Sequence, residues 1–206
     1  MATAATARKT RFRRLREEVR PILLTLALLM LARTSFANHY QVPSGSMQPT
    51  LLPGDRVAVD MSAYGLRVPY TDIQLVRRGH PQRGDVVVFK SPVDGTRLIK
   101  RVAAVAGDTV ELRGGRLAID GEPLSSGRAP DVEVFGQRRV RLGLDQGGGP
   151  DIPPTTIPAG SLLVLGDHRG DSADGRYFGL VDADSVYARA VAVYWRSGEG
   201  LRWQRL

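Results

Sequence analysis

No cysteine occurs in the 206 residues. That excludes a disulfide scaffold, a cysteine nucleophile and any thiolate-held metal, but it does not identify the compartment. Histidine, the usual general base near neutral pH, is nearly as scarce, with three in the chain. His39 follows an apolar segment, His80 precedes a proline in a basic stretch, and only His168 sits among dense polar residues. The G-x-S-x-G nucleophile elbow and the H-E-x-x-H zinc spacing are both absent. There is no internal repeat and no long low-complexity tract. A hydrolytic centre in this chain therefore needs a base other than histidine, and lysine is the remaining candidate.

The formal net charge of +8 would suit a nucleic-acid partner if it were spread over a folded surface. It is not. The first twenty residues hold seven basic and two acidic side chains, leaving 22 basic against 19 acidic in the rest. A globular part this balanced gives no electrostatic reason to expect phosphate tracking, so no nucleic-acid partner is expected.

Residues 1–20 are thus read as a basic cytoplasmic tail and residues 21–40 as a transmembrane anchor. The uncharged core of that segment, Pro21 to Ala32, would rise only about 18 Å as a helix, short of the roughly 30 Å hydrocarbon layer. Reaching spanning length means including Arg33, Asn38 and His39, which can snorkel or sit at the outer interface. A cleavable secretory signal fits the basic flank, short apolar run and small residues Ser35 and Ala37 equally well. A buried soluble helix is the third reading. Signal and anchor agree that the chain after Tyr40 crosses the membrane, because positive charge stays inside.

Residues 41–206 read as a mainly β domain. Stretches 56–60, 85–90, 97–105, 109–113, 116–120, 162–165 and 186–195 are rich in β-branched residues and punctuated by glycine and proline. Gly114-Gly115 predicts a hairpin and Asp120-Gly121 the next turn. The interval at about 123–160 is expected to be a small, loop-rich excursion. The only helix expected is the amino-terminal one. The pattern suggests a coiled antiparallel sheet or a barrel-like closure.

Two places could carry chemistry. Pro43-Ser-Gly-Ser-Met-Gln-Pro-Thr-Leu-Leu-Pro-Gly-Asp55 carries two hydroxyls, although on spacing alone a linker turn is the simpler reading. Lys100 lies in Leu98-Ile-Lys-Arg-Val102, where alternation puts Leu98 and Val102 on its own face and Ile99 on the other. Burial there would lower its pKa and free a neutral amine as a base. An exposed strand-edge lysine is the commoner alternative.

At these residues the sequence resembles the type I signal peptidases, the leader peptidases with a Ser-Lys dyad. Ser44 to Leu51 is similar to the nucleophile box, Gly54 to Gly65 to the segment after it, and Arg83 to Lys90 through Leu98 to Asp108 to the lysine box. Gly166-Asp-His-Arg-Gly-Asp-Ser-Ala-Asp-Gly-Arg-Tyr-Phe-Gly179 is similar to the last box. His168, Gly170, Asp171 and Gly175 depart from it, standing where the family more often shows Asn, Asp, Asn and Ser.

The resemblance implies Ser46 as nucleophile, Lys100 as its base, Ser44 with the Ser46 N–H as oxyanion hole, and Ser172 orienting the lysine. It implies an ion-pair network of Arg101, Asp174 and Arg176, with Asp167 and Arg169 as contributors. It places Tyr40, Val42, Met47, Leu51, Val57, Val88 and Ile99 around shallow pockets for small side chains at −1 and −3. The implied enzyme is a serine endopeptidase that uses no metal or cofactor. It would sit as a single-pass protein in the bacterial inner membrane, amino terminus cytoplasmic and catalytic domain on the periplasmic face. It would remove signal peptides from exported preproteins at Ala-x-Ala sites, with the lipid bilayer as its other partner. A relative with a narrow client, a non-catalytic membrane-tethered binding module and a self-cleaving Ser-Lys repressor are the rival readings. Ser35-Phe36-Ala37 also suggests self-cleavage after Ala37.

Overall fold

A computed structural model describes residues 17–25, 37–67 and 74–206. Its main sheet is eight-stranded and antiparallel, in the order Ala37–Gln41, Arg56–Asp60, Ala188–Arg196, Val86–Lys90, Arg97–Val105, Ser161–Leu165, Val181–Asp182. Gly200–Arg205 also pairs with Ala188–Arg196, off that path. The expected strands at 56–60, 97–105 and 109–113 form with the boundaries the sequence suggests. Alternating β-branched residues explain them. In Arg56–Asp60 the valines are buried and their neighbours are not.

Smaller sheets cover the main one. Ile152–Thr156, Thr109–Arg113, Arg116–Ile119 and Glu122–Pro123 form a four-stranded sheet. The Gly114-Gly115 turn has φ of 53° and 78°, the left-handed pair a tight hairpin needs and glycine supplies without strain. The interval 123–160, expected to be loop-rich, instead holds the three-stranded sheet Ser125–Ser126, Ala129–Phe135, Arg138–Arg141 and the edge strand Ile152–Thr156. Short strands with prolines and exposed charges carry little sequence signal.

Barrel closure, one of the two expectations, does not occur among the described residues: the sheet path is open, ending at Ala37–Gln41 and Val181–Asp182. Coiling does occur. Ala37–Gln41 and Arg97–Val105 are separated by four strand spacings, about 19 Å on a flat sheet. Yet the Arg97 guanidinium lies 4.3 Å from the centre of the Tyr40 ring. The sheet turns back on itself without pairing its ends.

Three apolar clusters hold these layers. The first, including Leu112, Leu117, Phe135, Leu142 and Leu165, joins the small sheets to the main one. The second gathers Val42, Met47, Leu51, Val57, Val88 and Val193. The third gathers Val87, Phe89, Val102, Leu162 and Val164. Arg97–Val105 runs between them and is buried continuously from Lys100 to Ala104.

Of the expected anchor, residues 17–25 are helical and exposed, with Ile22, Leu23 and Leu24 each about 60% accessible. Among the described residues no helix is long and apolar enough to cross a membrane. Residues 26–36 lie outside the described residues, as does most of the basic tail. Ala37–Tyr40, the far end of the anchor as read, belong to a sheet strand, Ala37 facing Asp60 and Tyr40 facing Val57. The Ala37–Asn38 bond is thus held inside a paired strand, and self-cleavage there would require that strand to leave the sheet.

Candidate active site

Ser46 follows the edge strand, in a turn where Gln48 N–H donates to Gly45 C=O and Leu51 N–H to Met47 C=O. Met47 and Leu51, fully buried, root this turn in the second cluster. Lys100 comes from the centre of Arg97–Val105 and faces Val87 on the next strand. Leu98 and Val102 pack in the third cluster and Ile99 in the second, the alternation the sequence suggests. Lys100 is 3% exposed and its Nζ is hydrogen-bonded to Ser46 Oγ at 2.5 Å. A buried amine is held less readily as the ammonium. Burial lowers the Lys100 pKa from 10.5 to about 8, while the Asp174 and Asp167 carboxylates partly oppose the shift.

Ser44 Oγ is 3.4 Å from Ser46 Oγ. The segment Gly166–Gly179 wraps the other side of the dyad. His168 N–H donates to the Ser46 carbonyl at 3.1 Å. A Cβ on Gly166 would stand 2.4 Å from that carbonyl oxygen and 2.2 Å from Ser172 Oγ, so only glycine fits. Ser172 is buried beside it, but among the described residues its Oγ makes no hydrogen bond of good geometry, to Lys100 or to any other group. The expected Ser172–Lys100 bond is therefore not formed; the hydroxyl lies instead near the Asp174 carboxylate.

The residues expected in one ion-pair network divide into separate pairs. Arg101 makes a two-pronged bond to Asp167, at 2.8 and 2.7 Å, and donates to Gly84 C=O. Asp167 also accepts from Thr50 Oγ1, which fastens the nucleophile turn to the last box. Asp174 pairs with Arg176, again two-pronged at 2.8 Å, and accepts from Gly166 N–H at 2.9 Å. Burial alone would raise the Asp174 carboxyl. The hydrogen bonds from Arg176 and Gly166 outweigh burial and hold it below the usual carboxylate range. Asp174 also caps the short helix Gly175–Phe178, an element too brief for its periodicity to be read from sequence. Arg169 bonds Glu133 on the three-stranded sheet, at 3.1 and 2.6 Å, and both side chains are buried.

Four of the seven expected pocket residues, Tyr40, Val42, Val88 and Ile99, line a cleft of about 540 Å³ beside the dyad. Met47, Leu51 and Val57 do not line it. They are fully buried and pack against its floor, because the second cluster draws them inward. Arg56, Arg97, His39, Gln41, Pro43 and Leu98 complete the cleft. Sequence reasoning missed Thr50, Glu133, Gly166 and Arg97. Glu133 had no signal in the sequence, because alternation with Val132 and Val134 reads it as outward, whereas the strand turns it inward and exposes Val134.

A family model described as "Signal peptidase, peptidase S26" matches residues 15–195, and this range contains the dyad, the cleft and every ion pair above. The chain belongs to the signal peptidase family, peptidase S26. Among curated members, it is 34% identical to signal peptidase I of Pseudomonas aeruginosa over 201 residues, covering 82% of this chain and 68% of that one. The signal peptidase I of Leptolyngbya laminosa is 32% identical over 191 residues, covering 88% and 80%. That of Bacillus licheniformis is 30% identical over 188 residues, covering 89% and 90%. A crystal structure of a signal peptidase I from Enterococcus faecalis matches 60% of this chain and 97% of that one, at 32% identity and a TM-score of 0.37. For a member of the S26 signal peptidases, a serine and a buried lysine in hydrogen-bond contact are chemistry for peptide hydrolysis.

Proposed function

We propose that this chain is a membrane-bound serine endopeptidase that removes signal peptides from exported preproteins with Ser46 and Lys100 as its catalytic dyad. The observation that carries the reading is the 2.5 Å contact between Ser46 Oγ and a buried Lys100 whose pKa is lowered to about 8. A serine hydroxyl is a poor nucleophile until a neighbouring base takes its proton, and an ordinary lysine is protonated at neutral pH. Burial removes that obstacle.

In the proposed reaction Ser46 Oγ attacks the scissile carbonyl carbon as its proton passes to Lys100 Nζ. The oxyanion is met by the Ser46 N–H and the Ser44 hydroxyl, donors fixed before charge develops. Collapse breaks the C–N bond, and Lys100 returns the proton to the leaving amine. Water then attacks the acyl-serine, with Lys100 as base again, and releases the signal peptide with Ser46 restored. Thr50 Oγ1 on Asp167 and the His168 N–H on the Ser46 carbonyl hold the last box against the Ser46 turn. Arg101 ties the box to the lysine strand, the Asp174–Arg176 pair braces it from within, and Ser172 fills the space beside Gly166. Neither metal nor cofactor has a part in these steps.

Substrate lies extended in the cleft, where Val42, Val88 and Ile99 leave room for alanine at −1 and −3 but reject bulk. The exposed Ile22, Leu23 and Leu24 on the amino-terminal helix fit a lipid-facing anchor. An anchor there, single-pass in the bacterial inner membrane, puts the catalytic domain at the periplasmic surface where a signal peptide emerges. Mass spectrometry of products from preproteins with an Ala-x-Ala site tests this. Cleavage after the final alanine is expected, and its loss when the −1 alanine becomes phenylalanine. Cutting at unrelated positions would overturn the assignment.

A further inference from the structure

The cleft beside the dyad has an apolar floor but a cationic far end. Among the described residues its lining includes Arg56, Arg97 and His39, and no carboxylate. Both arginines are exposed residues that stack on aromatic faces. The Arg97 guanidinium stands 4.3 Å from the Tyr40 ring centre, and Arg56 stands 5.8 Å from that of Trp195. Such stacking restrains a side chain that would otherwise sample many rotamers. The Tyr187 hydroxyl adjoins both Arg97 and Tyr40. Positive charge is thus concentrated where the edge strand and Arg97–Val105 converge.

Arg97 precedes Lys100 by three residues on one strand, about 10 Å at the rise of extended chain. His39 to Pro43 and Arg97 to Ile99 both lead away from the dyad in the same direction, toward the end that would hold the residues before the scissile bond. Arg97 shares a strand face with Ile99, so its guanidinium closes the cleft beyond the apolar floor.

We propose that Arg97, clamped across the cleft by Tyr40 and assisted by Arg56, is a specificity-determining residue that selects substrates with an acidic side chain within positions −5 to −2 and disfavours basic ones there. This inference rests on the peptidase reading of the same cleft. Charge enters through encounter and KM rather than through the chemical step, because the guanidinium does not touch the reacting atoms. An exposed pair of this kind is modest, so the swing between glutamate and lysine substrates is about fivefold at low ionic strength and shrinks as salt is added.

The test uses the full-length protein in detergent, with Ala-x-Ala preproteins that carry Glu, Gln or Lys at −2, −4 or −5. Parent and Arg97→Glu are compared by kcat/KM, and binding of the same peptides to Ser46→Ala and Ser46→Ala/Arg97→Glu is measured by fluorescence anisotropy. The expected result is a Glu > Gln > Lys order at one or more of these positions, carried by KM and reversed by Arg97→Glu. Cleavage with no dependence on charge, or a dependence that Arg97→Glu leaves in place, overturns the inference while the peptidase reading stands. Charge-ordered binding without cleavage of any preprotein supports the cationic gate and overturns the peptidase reading instead.

Discussion

If Lys100 is the base, activity must follow its deprotonation. With the pKa at about 8, the neutral amine is about one-tenth of the population at pH 7 and about nine-tenths at pH 9, so kcat/KM should rise about tenfold across that interval. An unperturbed lysine at 10.5 would be neutral in only about one molecule in 3,000 at pH 7, and the profile would still climb steeply at pH 9. Asp171 is exposed and its charge holds the Lys100 pKa up. Asp171→Asn should therefore move the acid limb to lower pH, by a few tenths of a unit for a charge shared with solvent. The assay is initial-rate cleavage of a preprotein from pH 6 to 10 at constant ionic strength, with circular dichroism at each pH to show that the fold persists. A flat profile between pH 7 and 9, or an acid limb moved upward by Asp171→Asn, would refute the reasoning.

The same burial has a cost to the fold. Between the folded pKa of about 8 and the ordinary 10.5 the unfolded chain binds the extra proton, so stability rises with pH through that window. Below it the penalty is fully present, at most about 3 kcal/mol. Lys100→Met should accordingly raise the thermal midpoint at pH 7, by about 2–4 °C for each kcal/mol recovered, and gain little above pH 10.5; a lower midpoint at pH 7 would contradict this. Glu133→Ala leaves Arg169 buried and unpaired, a loss expected at about 3–5 kcal/mol in denaturant titration. Gly166→Ala drives a methyl into the Ser46 carbonyl and Ser172, and should remove most turnover while the far-ultraviolet spectrum stays close to that of the parent.

The long strands were readable because their valines alternate or run together, and Arg97–Val105 forms over the very residues the pattern marks. The Gly114-Gly115 hairpin was readable because glycine there answers a backbone need. The edge strand Ala37–Gln41 was not, since its largely polar run carries no period. Coiling without closure depends on the summed twist of seven strands in register, which no local pattern encodes. At the site, Ser46 and Lys100 were legible through motif resemblance and the apolar setting of the lysine. Their partners were harder. Arg101 and Asp174 were placed in one network, whereas Arg101 takes Asp167 and Asp174 takes Arg176, a choice decided by which carboxylate the fold brings within reach. Glu133 and Arg169 stand 36 residues apart on different elements, and their pairing is invisible until the three-stranded sheet is placed.

The most direct test of the central claim is single-turnover cleavage of an Ala-x-Ala preprotein at pH 9 by the parent, Ser46→Ala and Lys100→Ala, each verified as folded. Cleavage after the final alanine by the parent alone, with both variants slowed at least about a thousandfold, is the predicted result. Full activity in Lys100→Ala would contradict the dyad even if the cleavage site were right.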